Sequence, residues 1–273
     1  MGKLQVRKYA SMQVKTVRLV SGYLRHNLMS AMAYRGAFVL QVFAMILNNS
    51  MLLFFWWVLF DRLPSLRGWD LAGVMTIYGI VAFGFGAANV ICGNSFMVAR
   101  IIARGDLDYY LALPADPLAH LLISRMSLPA WGDMLFGLAV FLIAAPGQWA
   151  RLPLFLLLGL LAGMVIVAFS VLVGSLAFWV GNADNLAGQA INALITFSLY
   201  PADIFPGAVR VLLYTLIPGA FVGSVPAELL SDFDWGKLAT LVAFSAGITL
   251  AARLVFLWGL RRYESGNLVT VRG

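Results

Sequence analysis

Residues able to do chemistry are sparse in this chain. The densest group is Gly105-Asp106-Leu107-Asp108, followed by Tyr109, Tyr110, Leu111 and Leu113. Two carboxylates ahead of a short apolar run fit a helix N-terminus, where the helix dipole favours negative charge. The aromatic and aliphatic side chains that follow, closed off by Pro114, offer a compact apolar surface. On a soluble loop such a helix suits docking against a partner protein; the plainer alternative is a surface helix resting on lipid. Two further charges, Asp133 and Arg253, stand inside apolar runs. Both come to roughly 10 Å from the nearer end of their runs by helix rise, which allows an ion pair between them. Charge at such depth costs on the order of 3 kcal/mol on insertion scales and usually faces a bundle interior or a cavity. Otherwise Asp133 lies close to the interface and Arg253 reaches out to the headgroups.

Other chemistry is missing from the sequence. No G-x-x-x-x-G-K-[ST] loop occurs: Gly236-Lys237 has Ser231 where the first glycine belongs and Leu238 after the lysine. Nucleotide hydrolysis by that route is therefore not expected of this chain, nor is any bound cofactor. His26 and His120 lack acidic or cysteine neighbours at metal-ligand spacing, and no G-x-S-x-G elbow is present. Carboxylates inside apolar runs are too few for a proton relay. Cys92 is the single cysteine, so neither an intrachain disulfide nor a cysteine metal cluster is expected.

The elements that must position these residues are long apolar runs. Residues 37–60 contain no ionisable side chain, and roughly 20 such residues in a helix cross a hydrocarbon layer about 30 Å thick. The whole chain of 273 residues is 62% hydrophobic and 11% charged, far from the roughly 25% charge of soluble domains. Backbone groups in lipid must pair within a helix or a closed barrel, and the continuous runs lack the alternation of barrel strands. An all-α membrane protein is expected, with spans over 37–60, 71–97, 128–145, 154–180, 186–200 and 238–260. Lys and Arg divide as thirteen on one side of these six spans and five on the other, with Arg253 inside the last. That excess places both termini in the cytoplasm. It also explains the net charge of +7 without nucleic acid. The basic start has no short apolar core with a small-residue cleavage site, so no cleaved signal is expected, and Val6 gives myristoylation no support.

Residues 200–234 are apolar but interrupted by Pro201, Pro206, Pro218 and Pro226. Proline breaks helices, and irregular backbone at membrane depth needs protein cover or a cavity. A re-entrant or interfacial helical hairpin on the outer side, between spans five and six, satisfies both conditions. Val6, Ala10, Val14, Val17, Val20 and Leu24 recur at helical spacing opposite Lys8 and Lys15, which predicts an amphipathic helix on the inner membrane surface. A plain basic orientation signal would look the same. Gly159 and Gly163 form G-x-x-x-G, which packs helices either within one chain or between subunits. No repeat or linker divides the chain. One domain spans 1–273, with an interfacial helix in 1–36, a bundle in 37–260 and a cytoplasmic tail in 261–273.

Several ordered segments resemble the six-span permease subunits of type-2 ABC exporters from bacteria. They are Ala33-Tyr34-Arg35-Gly36, Phe55-Trp56-Trp57-Val58-Leu59-Phe60, and Gly105-Asp106-Leu107-Asp108 through Leu113-Pro114. Tyr200-Pro201 with Ile204-Phe205-Pro206 follows, then Ile217-Pro218-Gly219-Ala220-Phe221, Val225-Pro226-Ala227 and Leu260-Arg261-Arg262-Tyr263-Glu264-Ser265. The resemblance implies a bacterial inner-membrane protein, a second permease copy or a related permease, and cytoplasmic ABC ATPase subunits that carry ATP and Mg. It implies that Asp106 to Leu113 form the helix that couples to the ATPase, and that 200–230 form the outer hairpin. The expected cargo is hydrophobic or amphipathic. The rival readings are a partner-independent secondary transporter, which would want coupling-ion ligands at mid-membrane, and a membrane-embedded enzyme or scaffold.

Overall fold

A computed structural model describes residues 22–23, 25–27, 29, 32–112 and 116–263. Most of the expected N-terminal amphipathic helix, together with Leu113 and Pro114, lies outside the described residues. Among the described residues the architecture is all-α, and the single extended pairing is an isolated bridge between Leu66 and Trp69.

Four helices are long and apolar enough to cross a membrane: Arg35–Arg62, Leu71–Ile91, Trp149–Val180 and Trp235–Leu260. Helix α1 (Arg35–Arg62) is mostly exposed, and its one fully buried side chain, Trp56, packs against Phe60 and Tyr200. Helix α2 (Leu71–Ile91) is the central element. Asp70 caps it by accepting from the Gly73 amide at 2.8 Å, satisfying one of the donors that a helix start leaves unpaired. The predicted second span reached residue 97, but the helix stops at Ile91. Gly93 and Asn94 turn the chain there, with the Gly93 amide donating to Arg125 O at 3.0 Å.

Short helices α3 (Val98–Ala103), α4 (Leu107–Leu111) and α5 (Pro117–Ile123) lead to α6 (Ala130–Ala144). At 15 residues α6 is about 22 Å long, which is short for a span. Helices α7 (Leu152–Ser175) and α8 (Ala177–Val180) supply the fourth predicted span almost as drawn. The expected fifth span is α9 (Asp184–Ser198), whose Asn185, Gln189 and Asn192 make it amphipathic rather than uniformly apolar.

Residues 200–234 fold as a 3-10 turn (Ala202–Ile204) followed by α10 (Gly207–Tyr214), α11 (Gly219–Val222) and α12 (Ser224–Ser231). The segments Gly207–Tyr214 and Gly219–Ser231 meet at a 60° bend. Each proline marks a beginning: Pro201, Pro206 and Pro218 stand just before an element, and Pro226 is in the first turn of α12. A missing amide costs nothing at those positions, because the first amides of a helix have no intrahelical partner. Helix α13 (Trp235–Leu260) closes the bundle, capped by Asp234 through the Lys237 amide at 2.6 Å.

Helix α2 is flanked by α6 and α7, and glycines set how closely they approach. A Cβ on Gly163 would stand 2.6 Å from Gly84 O, and one on Gly137 would stand 2.5 Å from Gly79 O. The Gly159/Gly163 motif thus packs within the chain. In lipid such close backbone contact is what draws helices together, since lipid tails already solvate their apolar faces. Gly163→Val is expected to cost about 1–3 kcal/mol by overpacking, lowering the thermal midpoint in detergent. Gly247→Ala, on an exposed stretch of α13 with no atom near the added methyl, should leave that midpoint in place or raise it slightly, since alanine favours the helix. Equal shifts in the two variants would refute the close-packing account.

Candidate coupling surface

The group around Asp106 is built on a tight reversal at the end of α3. Gly105 has φ +78, its amide donates to Ile102 O at 3.1 Å and the Asp106 amide to Ile101 O at 3.1 Å. This is the paired closure of a Schellman motif, and it favours glycine because a Cβ is strained at that φ. Asp106 is then the residue before α4, and Asp108 falls in its first turn, as the acid placement predicted.

The apolar residues of α4 divide between two faces. Leu107 is 0% exposed and packs with Ile101, Ile102, Leu118 and Leu121 in a core that also takes Ala168, Ala187 and Phe256. Tyr110 is half-buried, with its ring edge-on to His120 at 5.1 Å. Asp106, Tyr109 (61% exposed) and Leu111 (38% exposed) point outward. The outward surface is therefore narrower than the sequence implied.

A network of polar ties fixes this block. His120 is buried, with Nε2 2.8 Å from the Tyr23 hydroxyl and Nδ1 3.4 Å from Tyr110 O. Asn94 Nδ2 donates to Leu121 O at 3.1 Å and to Ser124 Oγ at 2.8 Å. Arg100 pairs with Asp184 at 2.9 Å, joining α3 to the start of α9. The Tyr263 hydroxyl donates to Gly105 O at 2.7 Å, joining the end of the bundle to the reversal itself.

The ion pair expected between Asp133 and Arg253 does not form. Helix α6 packs on α1 and α2, whereas α13 packs on α7, so the two side chains face different neighbours. Asp133, 5% exposed, accepts from Asn49 Nδ2 at 2.7 Å, and the Tyr78 hydroxyl donates to Asn49 Oδ1 at 3.0 Å. Arg253 instead meets Asp116 at 2.7 Å. Helix rise gives distance along an axis; direction around the axis was not available from it. Asp116 uses both oxygens, since Oδ1 also accepts from the Ala119 amide at 2.9 Å to cap α5. Its place before Pro117 is a helix-start signal that was open to sequence reading. Nothing in the sequence linked it to Arg253, or Arg100 to Asp184.

Two outcomes are expected. Asp116→Asn and Arg253→Gln should each loosen α5, read as faster amide exchange over 117–123, and the double variant should be no worse than the stronger single one. Additive losses would mean that the two side chains do not act through each other. For Tyr263, partial burial and then the neighbouring Asp108 carboxylate push the phenol from 10.0 up to about 12. The raised value favours the neutral phenol in the folded chain. Its stabilising contribution is complete below about pH 10 and is lost as pH rises towards about 12. Alkaline unfolding in that window should lessen in Tyr263→Phe, and an unchanged profile would contradict the assignment.

A sequence model of the ABC-2 family of transporter proteins matches residues 46–266. No curated protein and no solved structure matches the chain. The match runs from within α1 past the end of α13 and takes in the block around Asp106 apart from Tyr23, so the chain belongs to the ABC-2 family of transporter membrane proteins.

Proposed function

We propose that this permease works as one of a pair, either two copies or two related chains, with separate cytoplasmic ABC ATPase subunits that bind ATP and Mg. The pair exports a hydrophobic or amphipathic cargo. In this reading the chain spans a bacterial plasma membrane six times, with both termini in the cytoplasm. The 15-residue helices Ala130–Ala144 and Asp184–Ser198 serve as spans three and five. The bent segment of α10 to α12 is a re-entrant hairpin on the outer side.

The observation that carries the reading is α4. It is a short helix with an acid and two apolar side chains outward, seated through Leu107 on a core shared by α3, α5, α7, α9 and α13. A loose knob would absorb a push; a seated one passes it on. ATP-driven closure of the ATPase pair would press on Asp106, Tyr109 and Leu111. The load would reach α9 through Arg100–Asp184, and α13 through Asp116–Arg253 and Tyr263. The bundle then shifts between two arrangements because the ATPase binds them with unequal affinity, which is the sole way a ligand biases such an equilibrium. Cargo would pass along the interface between the two permeases, and the exposed apolar faces of α1 and α13 are available to line or cover it.

A mild-detergent pull-down of the tagged chain tests this, followed by an ATPase assay on what accompanies it. A P-loop ATPase should copurify with the native chain. Asp106→Lys with Tyr109→Ala, both at exposed positions, should reduce its recovery on the order of 30-fold, the cost of losing an interface hot spot. A folded chain that never carries an ATPase would overturn the reading and favour a secondary transporter.

A further inference from the structure

Beside α4 lies a cavity of about 420 Å³ whose lining is basic. We propose that it binds the phosphate headgroup of an anionic membrane lipid. Arg100, Arg104 and Arg125 line it with Asp106, and with Arg100 neutralised by Asp184 the other three ionised side chains leave a net charge of +1. Among the described residues neither Arg104 nor Arg125 has an ion-pair partner. Tyr23 and Ser124 also line it, their hydroxyls already engaged by His120 and by Leu121 O and Asn94. The two guanidiniums form a donor set for phosphate oxygens, which arginine binds through two parallel N–H donors.

The level of the cavity favours a lipid over a free phosphate. Arg125 falls between the end of α5 at Ile123 and the start of apolar α6 at Ala130, and its carbonyl accepts from Gly93, two residues after apolar α2 ends. The cavity therefore lies where two apolar helices stop, which in a membrane is the headgroup layer. Met97 supplies an apolar wall on the same side. Basic pockets at that level recognise anionic headgroups, and each basic residue near an anionic surface adds about five-fold in affinity. The cavity shares Asp106 and Tyr109 with the proposed ATPase contact, and the test uses the chain without an ATPase.

The test is native mass spectrometry of the purified full chain in mild detergent with equal phosphatidylglycerol and phosphatidylcholine. The native chain should retain phosphatidylglycerol in preference. Arg104→Gln with Arg125→Gln should weaken that retention by about five-fold per arginine, and Arg125→Gln alone by about five-fold. Arg261→Gln with Arg262→Gln removes the same charge from the exposed end of α13 outside the cavity and should change retention little. Equal retention of the two lipids, or an equal loss in the Arg261/Arg262 variant, would overturn the site. Displacement of the lipid by inorganic phosphate at the same phosphate concentration would overturn the lipid assignment in favour of a soluble phosphate.

Discussion

The contact on which the rest of the chain depends is backbone against backbone, where α2 meets α6 on one side and α7 on the other. In water, burying apolar side chains would hold such helices together; in lipid the same side chains are solvated whether or not the helices meet. What remains is dispersion at short range, and glycines such as Gly84, Gly137 and Gly163 let the helices approach until carbonyls touch the facing chain. The dense core around Phe83, Phe141, Phe155 and Leu158 then fills the space beside those crossings.

That central packing gives the second core, at the end of the bundle that bears α4, something rigid to stand on. Val98 rests against Gly174, where a Cβ would come within 2.8 Å of the valine, so α3 begins already fixed on α7. From there the Schellman closure at Gly105 aims α4, and each of its neighbours is tied to a different helix. Rigidity near the membrane and a small outward surface are two products of the same packing. Helix α1 stands outside this scheme: it touches chiefly α6 and leaves most of its apolar surface uncovered.

The sequence made the long helices legible because a span is a one-dimensional property: a run of residues that avoid charge. Helices α1 and α13, and α7 with α8 together, lie within a few residues of their predicted bounds. The start of α4 was legible for a local reason, glycine followed by acids. Prolines foretold the breaks in 200–234 but not the fold of the pieces between them. What stayed hidden was direction around each helix. Asp133 and Arg253 turn to different partners, and Leu107 and Tyr109 are two residues apart on opposite faces. Tertiary ties such as Arg100 to Asp184 bridge 84 positions, beyond the reach of any local pattern.

The double use of Asp116 limits how the bundle can move. One oxygen holds the first turn of α5 and the other holds the Arg253 guanidinium, two turns before the end of α13. Sliding α13 along its own axis by a single turn, about 5.4 Å, would carry that guanidinium beyond reach, and rotating it by one residue would swing it away altogether. Tilting the helix about the bond as a pivot does neither. A carboxylate shared in this way is a local tether: a screw or piston displacement of the last helix has to break the bond, and a tilt about it keeps the bond.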